Sequence, residues 1–141
     1  MKLADLHLHT SFSDGTFSPQ ELVTEAKKAG MFCIAVTDHD SMSAVKPVMD
    51  IAADSLEVIP GVELTAEFNS NEIHLLGYFI DLNNLRLENE LDKIRQIRKR
   101  RVYEIVGRLK KLGVSLEPQE VFDFAGGESI GRLHIARALL A

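Results

Sequence analysis

The sequence offers little that would cross-link the chain or insert it into a membrane. Cys33 is the single cysteine among 141 residues, so a disulfide framework is excluded, and a buried, unreactive thiol is the simplest interpretation. After Met1 and Lys2 the chain reaches Asp5 and His7 at once, which leaves no apolar run long enough for a signal peptide or a membrane span. These absences predict a cytoplasmic protein.

The charge is distributed unevenly along a chain of ordinary globular composition. Hydrophobic residues make up 45% of the sequence, enough to bury a core, and the net charge is −5. The stretch from Lys93 to Lys111 holds nine of the sixteen lysines and arginines, with Glu104 as its only acid. The acidic remainder suits cations, whereas the basic stretch either attracts phosphate groups or is a solvated helix face.

Short apolar segments alternate with helical ones in the first part of the chain, which predicts an α/β fold with a mainly parallel sheet. Helix signals surround residues 19–29, where Ser18, Pro19 and Glu21 form a predicted N-terminal cap and Gly30 ends the helix. A second helix is expected within residues 43–53. Strands are expected at residues 3–9, 31–37, 56–64 and 73–80, the third with a bulge or bend at Pro60 and Gly61.

From about Leu85 the pattern becomes helical, with a long helix ending at Gly113 and shorter helices after Pro118 and from Arg132 to Leu140. We therefore expect residues 1–84 to form one unit and residues 85–141 a helical subdomain. On the long helix the apolar positions Ile94, Ile97 and Ile105 predict the packed side, so that Arg95, Lys99 and Arg100 face solvent.

The first strand carries a metal-ligand pattern. Asp5, His7 and His9 alternate with apolar residues, and a spacing of two along a strand points both imidazoles the same way. Asp14 follows in a glycine-containing loop that can fold back over the strand end. Together the three side chains His7, His9 and Asp14 are candidate metal ligands.

Ligand-type side chains also occur in three later apolar segments. The second strand ends in Thr37-Asp38-His39-Asp40, which suits a functional site at a strand end better than a core. Glu63 and His74 each stand in an otherwise apolar strand, where an unpaired charge is costly unless a cation or hydrogen bonds compensate for it. We interpret His39, Glu63 and His74 as further metal ligands and Asp38 as a candidate catalytic residue.

Mixed imidazole and carboxylate ligands favour Zn, Mn or Fe in a site of two or three divalent ions over a structural zinc, which would use cysteines. Two ions about 3.5 to 4 Å apart can activate a bridging water and hold phosphoryl oxygens. The predicted chemistry is hydrolysis of a phosphate ester by a metal-bound hydroxide.

Four motifs then resemble the PHP family, named for polymerase and histidinol phosphatase. They are D-L-H-L-H-T-x-x-S-D-G, T-D-H-D, P-G-V-E and I-H-L-L-G-Y, in the family's order, and the resemblance covers about residues 3–80. It implies the N-terminal part of a distorted (β/α)7 barrel with a trinuclear metal site. By this resemblance, His7, His9 and Glu63 of this chain would bind one ion. Glu63 and His74 would bind a second, and Asp14 and His39 a third.

The helical part resembles the inserted subdomain of the PHP branch that contains nucleoside 3′,5′-bisphosphate phosphatases and 5′→3′ exoribonucleases. This resemblance implies a nucleotide or short RNA substrate, with neither a membrane nor duplex DNA as a partner. Arg132 is the candidate catalytic contact to substrate phosphate, because a guanidinium can hold phosphate in two places, although a solvated arginine at a helix start is an equal alternative. His134 is expected to pack within its helix.

The chain departs from the family pattern at its C-terminal end. Family members supply a further His and an Asp-x-His pair from late strands, and nothing after His134 does so here. We expect either an N-terminal fragment of a longer enzyme or a reduced relative, and the apolar last helix favours the fragment. The alternative to an enzyme is a non-catalytic PHP-like module that binds metal or a partner. Its oligomeric state is open, since an exposed sheet edge could recruit another chain.

Overall fold

The computed structural model describes residues 2–69 and 71–141 of the chain. Within these ranges the secondary structure closely follows the sequence pattern. The elements, in chain order, are β1 (Leu3–Leu8), α1 (Pro19–Lys28), β2 (Met31–Val36), α2 (Val45–Ala52), a 3₁₀ turn (Ala53–Ser55), β3 (Glu57–Phe68), β4 (Asn71–Tyr78), α3 (Leu85–Lys111), α4 (Pro118–Phe124) and α5 (Arg132–Leu140).

The four strands form one sheet in the order β1-β2-β3-β4. The pairs β1–β2 and β2–β3 are parallel, with α1 and α2 as the connecting helices, whereas β3 and β4 form an antiparallel hairpin. The predicted α/β class and the mainly parallel sheet are confirmed. Because parallel strands end at the same edge, the loops after β1 and β2 meet beside β3.

Strand β3 is longer than predicted and changes its partner midway. It pairs with β2 up to Pro60 and with β4 from Gly61 onward. A Cβ atom at Gly61 would lie 2.9 Å from the Val36 carbonyl oxygen, so the close approach of the strands at this point requires glycine. As a result Glu63 lies five residues before the end of a strand that continues to Phe68.

Helix α1 begins as its sequence signals indicate. The Ser18 hydroxyl accepts a hydrogen bond from the Glu21 backbone, and the Glu21 carboxylate accepts one from the Ser18 backbone. Gly30 follows the helix with a φ of 70°. Helices α1 and α2 pack against β2 through a core that includes Leu22, Val23, Ile34, Val36, Val45 and Val48.

The segment from α3 to α5, called here the helical segment, has its own apolar cluster of Val102, Val106, Leu116, Val121, Ile130 and Ile135. A smaller cluster joins α3 to the sheet through Leu91, Met42 and Val62. Across the described ranges, none of the helices combines the length and the apolar character that a membrane crossing needs.

The buried face of α3 differs from the expected one. Ile97 is 48% exposed, whereas Arg95 is only 6% exposed. The prediction that Arg95 faces solvent was therefore wrong, while Lys99 and Arg100 are exposed as predicted. The stripe that faces the interior is Leu91, Arg95, Arg98, Val102 and Val106. Arginines are tolerated there because they find acceptors on Asp40 and Glu88.

Candidate metal centre

The end of β1 and its following loop bring three candidate ligands together. His7 and His9 project the same way from the alternating strand, and their ring centroids lie 5.1 Å apart. The loop then turns back tightly, because a Cβ atom at Gly15 would overlap the His9 carbonyl group. This turn places the Asp14 carboxylate 3.2 Å from Nδ1 of His9.

Glu63 is the centre of the cluster. Its Oε2 atom lies 2.9 Å from Nε2 of His7 and 2.9 Å from Nε2 of His9, and its Oε1 atom lies 2.7 Å from Nδ1 of His74. Nδ1 of His39 is 3.6 Å from Oε2. The carboxylate is almost fully buried. One carboxylate therefore faces four imidazoles, and its two oxygens lie beside different imidazoles, so that each could contact a cation.

His39 reaches Glu63 because the chain after β2 returns to β3. His39 and Glu63 form an isolated parallel bridge, in which the Glu63 N–H donates to the Asp38 carbonyl over 3.2 Å. Nδ1 of His39 is buried and has no hydrogen-bond partner within the described residues. A buried ring nitrogen without a partner is a ready electron-pair donor for a cation.

All six predicted ligands meet in one cleft. Successive imidazoles stand 4.7 to 5.1 Å apart in the order His7, His9, His39, His74. Three groups of donors each lie close enough to hold one ion: His7, His9 and Glu63; His9, Asp14 and His39; and His39, Glu63 and His74. The family resemblance implied the pairs Asp14–His39 and Glu63–His74. In the structure His9 lies close to the first pair, and His39 lies close to the second.

The electrostatics of the cleft keep its carboxylates charged. The hydrogen bond from His9 lowers the pKa of Asp14 to about 2. Burial alone would raise the pKa of Glu63, but the hydrogen bond to His7 and the nearby imidazoles lower it overall. Burial lowers the pKa of His39, while that of His9 is raised, because Asp14 and Glu63 outweigh its burial. Because the pKa of His9 is raised, protons compete with metal at this imidazole, and metal affinity is expected to fall as the pH is lowered.

Asp38 lies outside the cleft and is fully buried. Its Oδ1 atom accepts hydrogen bonds from the Thr10 N–H at 2.7 Å and the Ser13 hydroxyl at 2.5 Å, and its Oδ2 atom accepts one from the Thr10 hydroxyl at 2.7 Å. Ser13 Oγ in turn lies 3.4 Å from Nδ1 of His9. A catalytic role for Asp38 stays a prediction, and these contacts favour the positioning of the β1 loop.

Arg132 stands at the edge of the cleft, with a side chain that is 64% exposed and paired with Glu72. Glu72 also lies 3.4 Å from Nε2 of His74 and 3.6 Å from Arg101. The sequence analysis did not identify Glu72 as a site residue. Its position two residues before His74 on the same strand places the two side chains on one face of the sheet. This carboxylate connects a candidate ligand to two arginines of the helical segment.

His134 behaves as a packing residue. It is buried, and its Nδ1 atom accepts a hydrogen bond from the Gly131 N–H over 3.0 Å. Burial also lowers the pKa of its imidazole. Its ring belongs to the start of α5 and not to any of the three donor groups.

Comparison with known proteins agrees with this geometry. The chain is 33% identical over 139 residues to the 5′-3′ exoribonuclease Rnm of Escherichia coli, covering 96% of this chain and 47% of the relative. It is 30% identical over 145 residues to a 3′,5′-nucleoside bisphosphate phosphatase of Chromobacterium violaceum, covering 96% and 48% of the two chains. The chain thus spans about half the length of these relatives.

A solved structure and a family match extend the comparison. A predicted metal-dependent phosphoesterase of Bifidobacterium adolescentis superposes with a TM-score of 0.89 at 32% identity, over 97% of this chain and 49% of the other. The PHP domain matches residues 5–115, which include the four motifs and all six candidate ligands. On sequence, fold and donor arrangement alike, the chain belongs to the PHP domain family.

Proposed function

We propose that the full-length protein is a metal-dependent phosphoesterase that hydrolyses phosphate esters of nucleotides or short RNA. The observation that carries this proposal is the Glu63 carboxylate, which faces four imidazoles in a chain of the PHP family. The named relatives act on RNA and on nucleoside bisphosphates, substrates that share a phosphate ester on a nucleotide.

The residues present fit two or three divalent ions of Mn, Zn or Fe. Nitrogen and oxygen donors are mixed, Glu63 offers both of its oxygens, and the buried Nδ1 of His39 has no hydrogen-bond partner in residues 2–69 and 71–141. The proposed ligands are His7, His9, Asp14, His39, Glu63 and His74. When bound, such ions lower the pKa of water and neutralise charge on the phosphoryl oxygens.

The protein's own side chains would orient the substrate around this centre. Arg132 is exposed at the cleft edge, where its guanidinium can hold a phosphate in a bidentate manner once it leaves Glu72. Asp38 holds the loop of Thr10 and Ser13, and through it the His9 ring. In this scheme Arg132 contacts substrate and Asp38 acts only through its neighbours.

The proposal is tested with the full-length protein by metal analysis, by release of phosphate from a nucleoside bisphosphate and by release of nucleotides from RNA. Adenosine 3′,5′-bisphosphate and a short 5′-phosphorylated RNA serve as substrates, before and after chelation and re-addition of Mn²⁺. We expect release that chelation abolishes and Mn²⁺ restores. A protein that is loaded with metal but releases neither phosphate from the bisphosphate nor nucleotides from the RNA would instead be the non-catalytic PHP-like module.

The exposed part of the basic stretch gives a second prediction about substrate. If Lys99 and Arg100 guide an RNA backbone, their replacement by Ala should weaken binding of short RNA and reduce the log–log salt slope by about one unit per lost phosphate contact. Turnover of a mononucleotide should hardly change, which makes it the internal control. Unchanged RNA hydrolysis at every salt concentration would identify a solvated helix face.

Other expectations from the sequence stay predictions. One is the boundary between an N-terminal unit (residues 1–84) and a helical subdomain (residues 85–141), and the PHP domain match extends across this boundary. Another is the cytoplasmic location. Whether duplex DNA is excluded as a partner and whether the protein forms oligomers likewise await measurement in solution.

A further inference from the structure

The residue after His39 is a buried carboxylate that is held from two sides. Asp40 is fully buried, and its φ of 49° lies in the left-handed region, which aspartate tolerates better than most residues. Its Oδ1 atom accepts from the Thr65 N–H over 3.1 Å, and its Oδ2 atom accepts from Nε of Arg98 over 2.6 Å. Its own N–H donates to the Glu63 carbonyl over 2.9 Å. Asp40 is therefore clamped between β3 and α3.

Arg98 supplies the part of this clamp that comes from the helical segment. Its side chain is only 10% exposed, and besides Asp40 it donates to the Thr65 hydroxyl over 2.7 Å and to the Ile130 carbonyl over 3.5 Å. One turn earlier, Arg95 donates to the Asp40 carbonyl over 3.1 Å. Two arginines of α3 thus hold the side chain and the backbone of the same residue.

Among the residues that the structure describes, none makes a hydrogen bond that would set the ring of His39. Metal-binding histidines normally donate their second ring nitrogen to an outer partner, which fixes the orientation. Here Nδ1 of His39 points to Glu63 at 3.6 Å and Nε2 points to Asp14 at 3.7 Å, so both nitrogens face the cleft. Within the described residues Nδ1 lacks a hydrogen-bond partner. The ring direction therefore depends on the backbone that carries it, and Asp40 fixes that backbone.

We propose that Arg98 is a positioning residue for the metal centre, acting through Asp40 to hold His39 in the cleft opposite Asp14. The helical segment thereby controls one part of the metal site from a helix that contributes none of the six candidate ligands. The inference rests on the proposed function, since it requires His39 to bind metal.

Two variants separate positioning from general stability. Arg98→Met keeps an apolar stem but leaves the Asp40 charge buried without its partner, which should lower the thermal midpoint. The double variant Asp40→Asn with Arg98→Met removes both charges, and asparagine also tolerates the positive φ, so the midpoint should return toward wild type. Metal affinity should not return, because the link from α3 is still missing. Arg108→Met, at an exposed position on the same helix, is the matched control.

The measurement is a Mn²⁺ titration of the full-length protein, with free Mn²⁺ followed by electron paramagnetic resonance. His39→Ala identifies the binding component that depends on His39. We expect the single and double variants to weaken that same component by about 10- to 100-fold, the size typical of lost outer contacts to metal ligands, and to leave the rest within error.

Three results would overturn the inference while leaving the proposed function standing. In the first, Arg98→Met binds Mn²⁺ as tightly as Arg108→Met does. In the second, Arg98→Met weakens every Mn²⁺-binding component equally. In the third, the double variant recovers Mn²⁺ affinity together with thermal stability. A wild-type protein that binds none of Mn²⁺, Zn²⁺ and Fe²⁺ would overturn both the inference and the proposed function.

Discussion

Replacing Glu63 by Gln is expected to remove metal from the protein and to lower phosphate release by at least about a hundredfold, the loss typical of one preorganised charged group. The reason is its position, because one carboxylate lies within 2.9 Å of both His7 and His9 and within 2.7 Å of His74. An amide cannot neutralise the charge of two neighbouring cations. Metal content by mass spectrometry and phosphate release in the full-length protein measure the effect together.

The matched control for this prediction is Glu67→Gln, at an exposed position on the same strand β3. It removes an equal charge outside the donor cluster and should leave both metal content and phosphate release near wild type. Thermal unfolding of both variants shows whether the fold is retained. Unchanged metal content in the Glu63 variant would remove this carboxylate from its proposed bridging role.

Replacing Asp38 by Ala is expected to lower the free energy of unfolding by about 3 kcal/mol or more, because buried donors left without an acceptor cost about 1–3 kcal/mol each. The donors that lose their acceptor are the Thr10 N–H, the Thr10 hydroxyl and the Ser13 hydroxyl. Urea unfolding of variant and wild type, both in the absence of metal, measures the difference.

Asp38→Asn distinguishes positioning from proton transfer. Its amide oxygen can still accept from Thr10 and Ser13, so a positioning role predicts that most of the activity and the metal are retained. A group that transfers a proton would instead lose about 10²- to 10⁴-fold in rate with little change in stability. Loss of activity in a stable, metal-loaded Asn variant would therefore restore Asp38 as a catalytic residue.

The candidate site could largely be assembled from local sequence features. The alternation in β1 aligns His7 with His9, and the turn residues before α1 allow Asp14 to return to the strand end. A single His or Glu in an apolar strand was enough to single out His74 and Glu63. These features work because strand periodicity and turn chemistry depend on neighbours in the sequence.

The same logic failed where a charge is buried by distant partners. Helical periodicity placed Arg95 on the solvent side of α3, where a charged side chain normally faces water. Arg95 and Arg98 are buried because Asp40, more than fifty residues earlier in the chain, supplies their acceptors. The sequence likewise gave no sign that Thr10 and Ser13, which lie 28 and 25 residues before Asp38, donate hydrogen bonds to its carboxylate.

The sequence by itself determined the secondary structure, the α/β class and the identity of the candidate ligands, because each follows from short-range periodicity or motif spacing. Only the tertiary structure decided which candidate donors lie close enough to hold one ion, the change of β3 from one partner strand to another, and which face of α3 is buried. Those outcomes depend on packing between elements far apart in the chain, where each buried charge must find its partner through space.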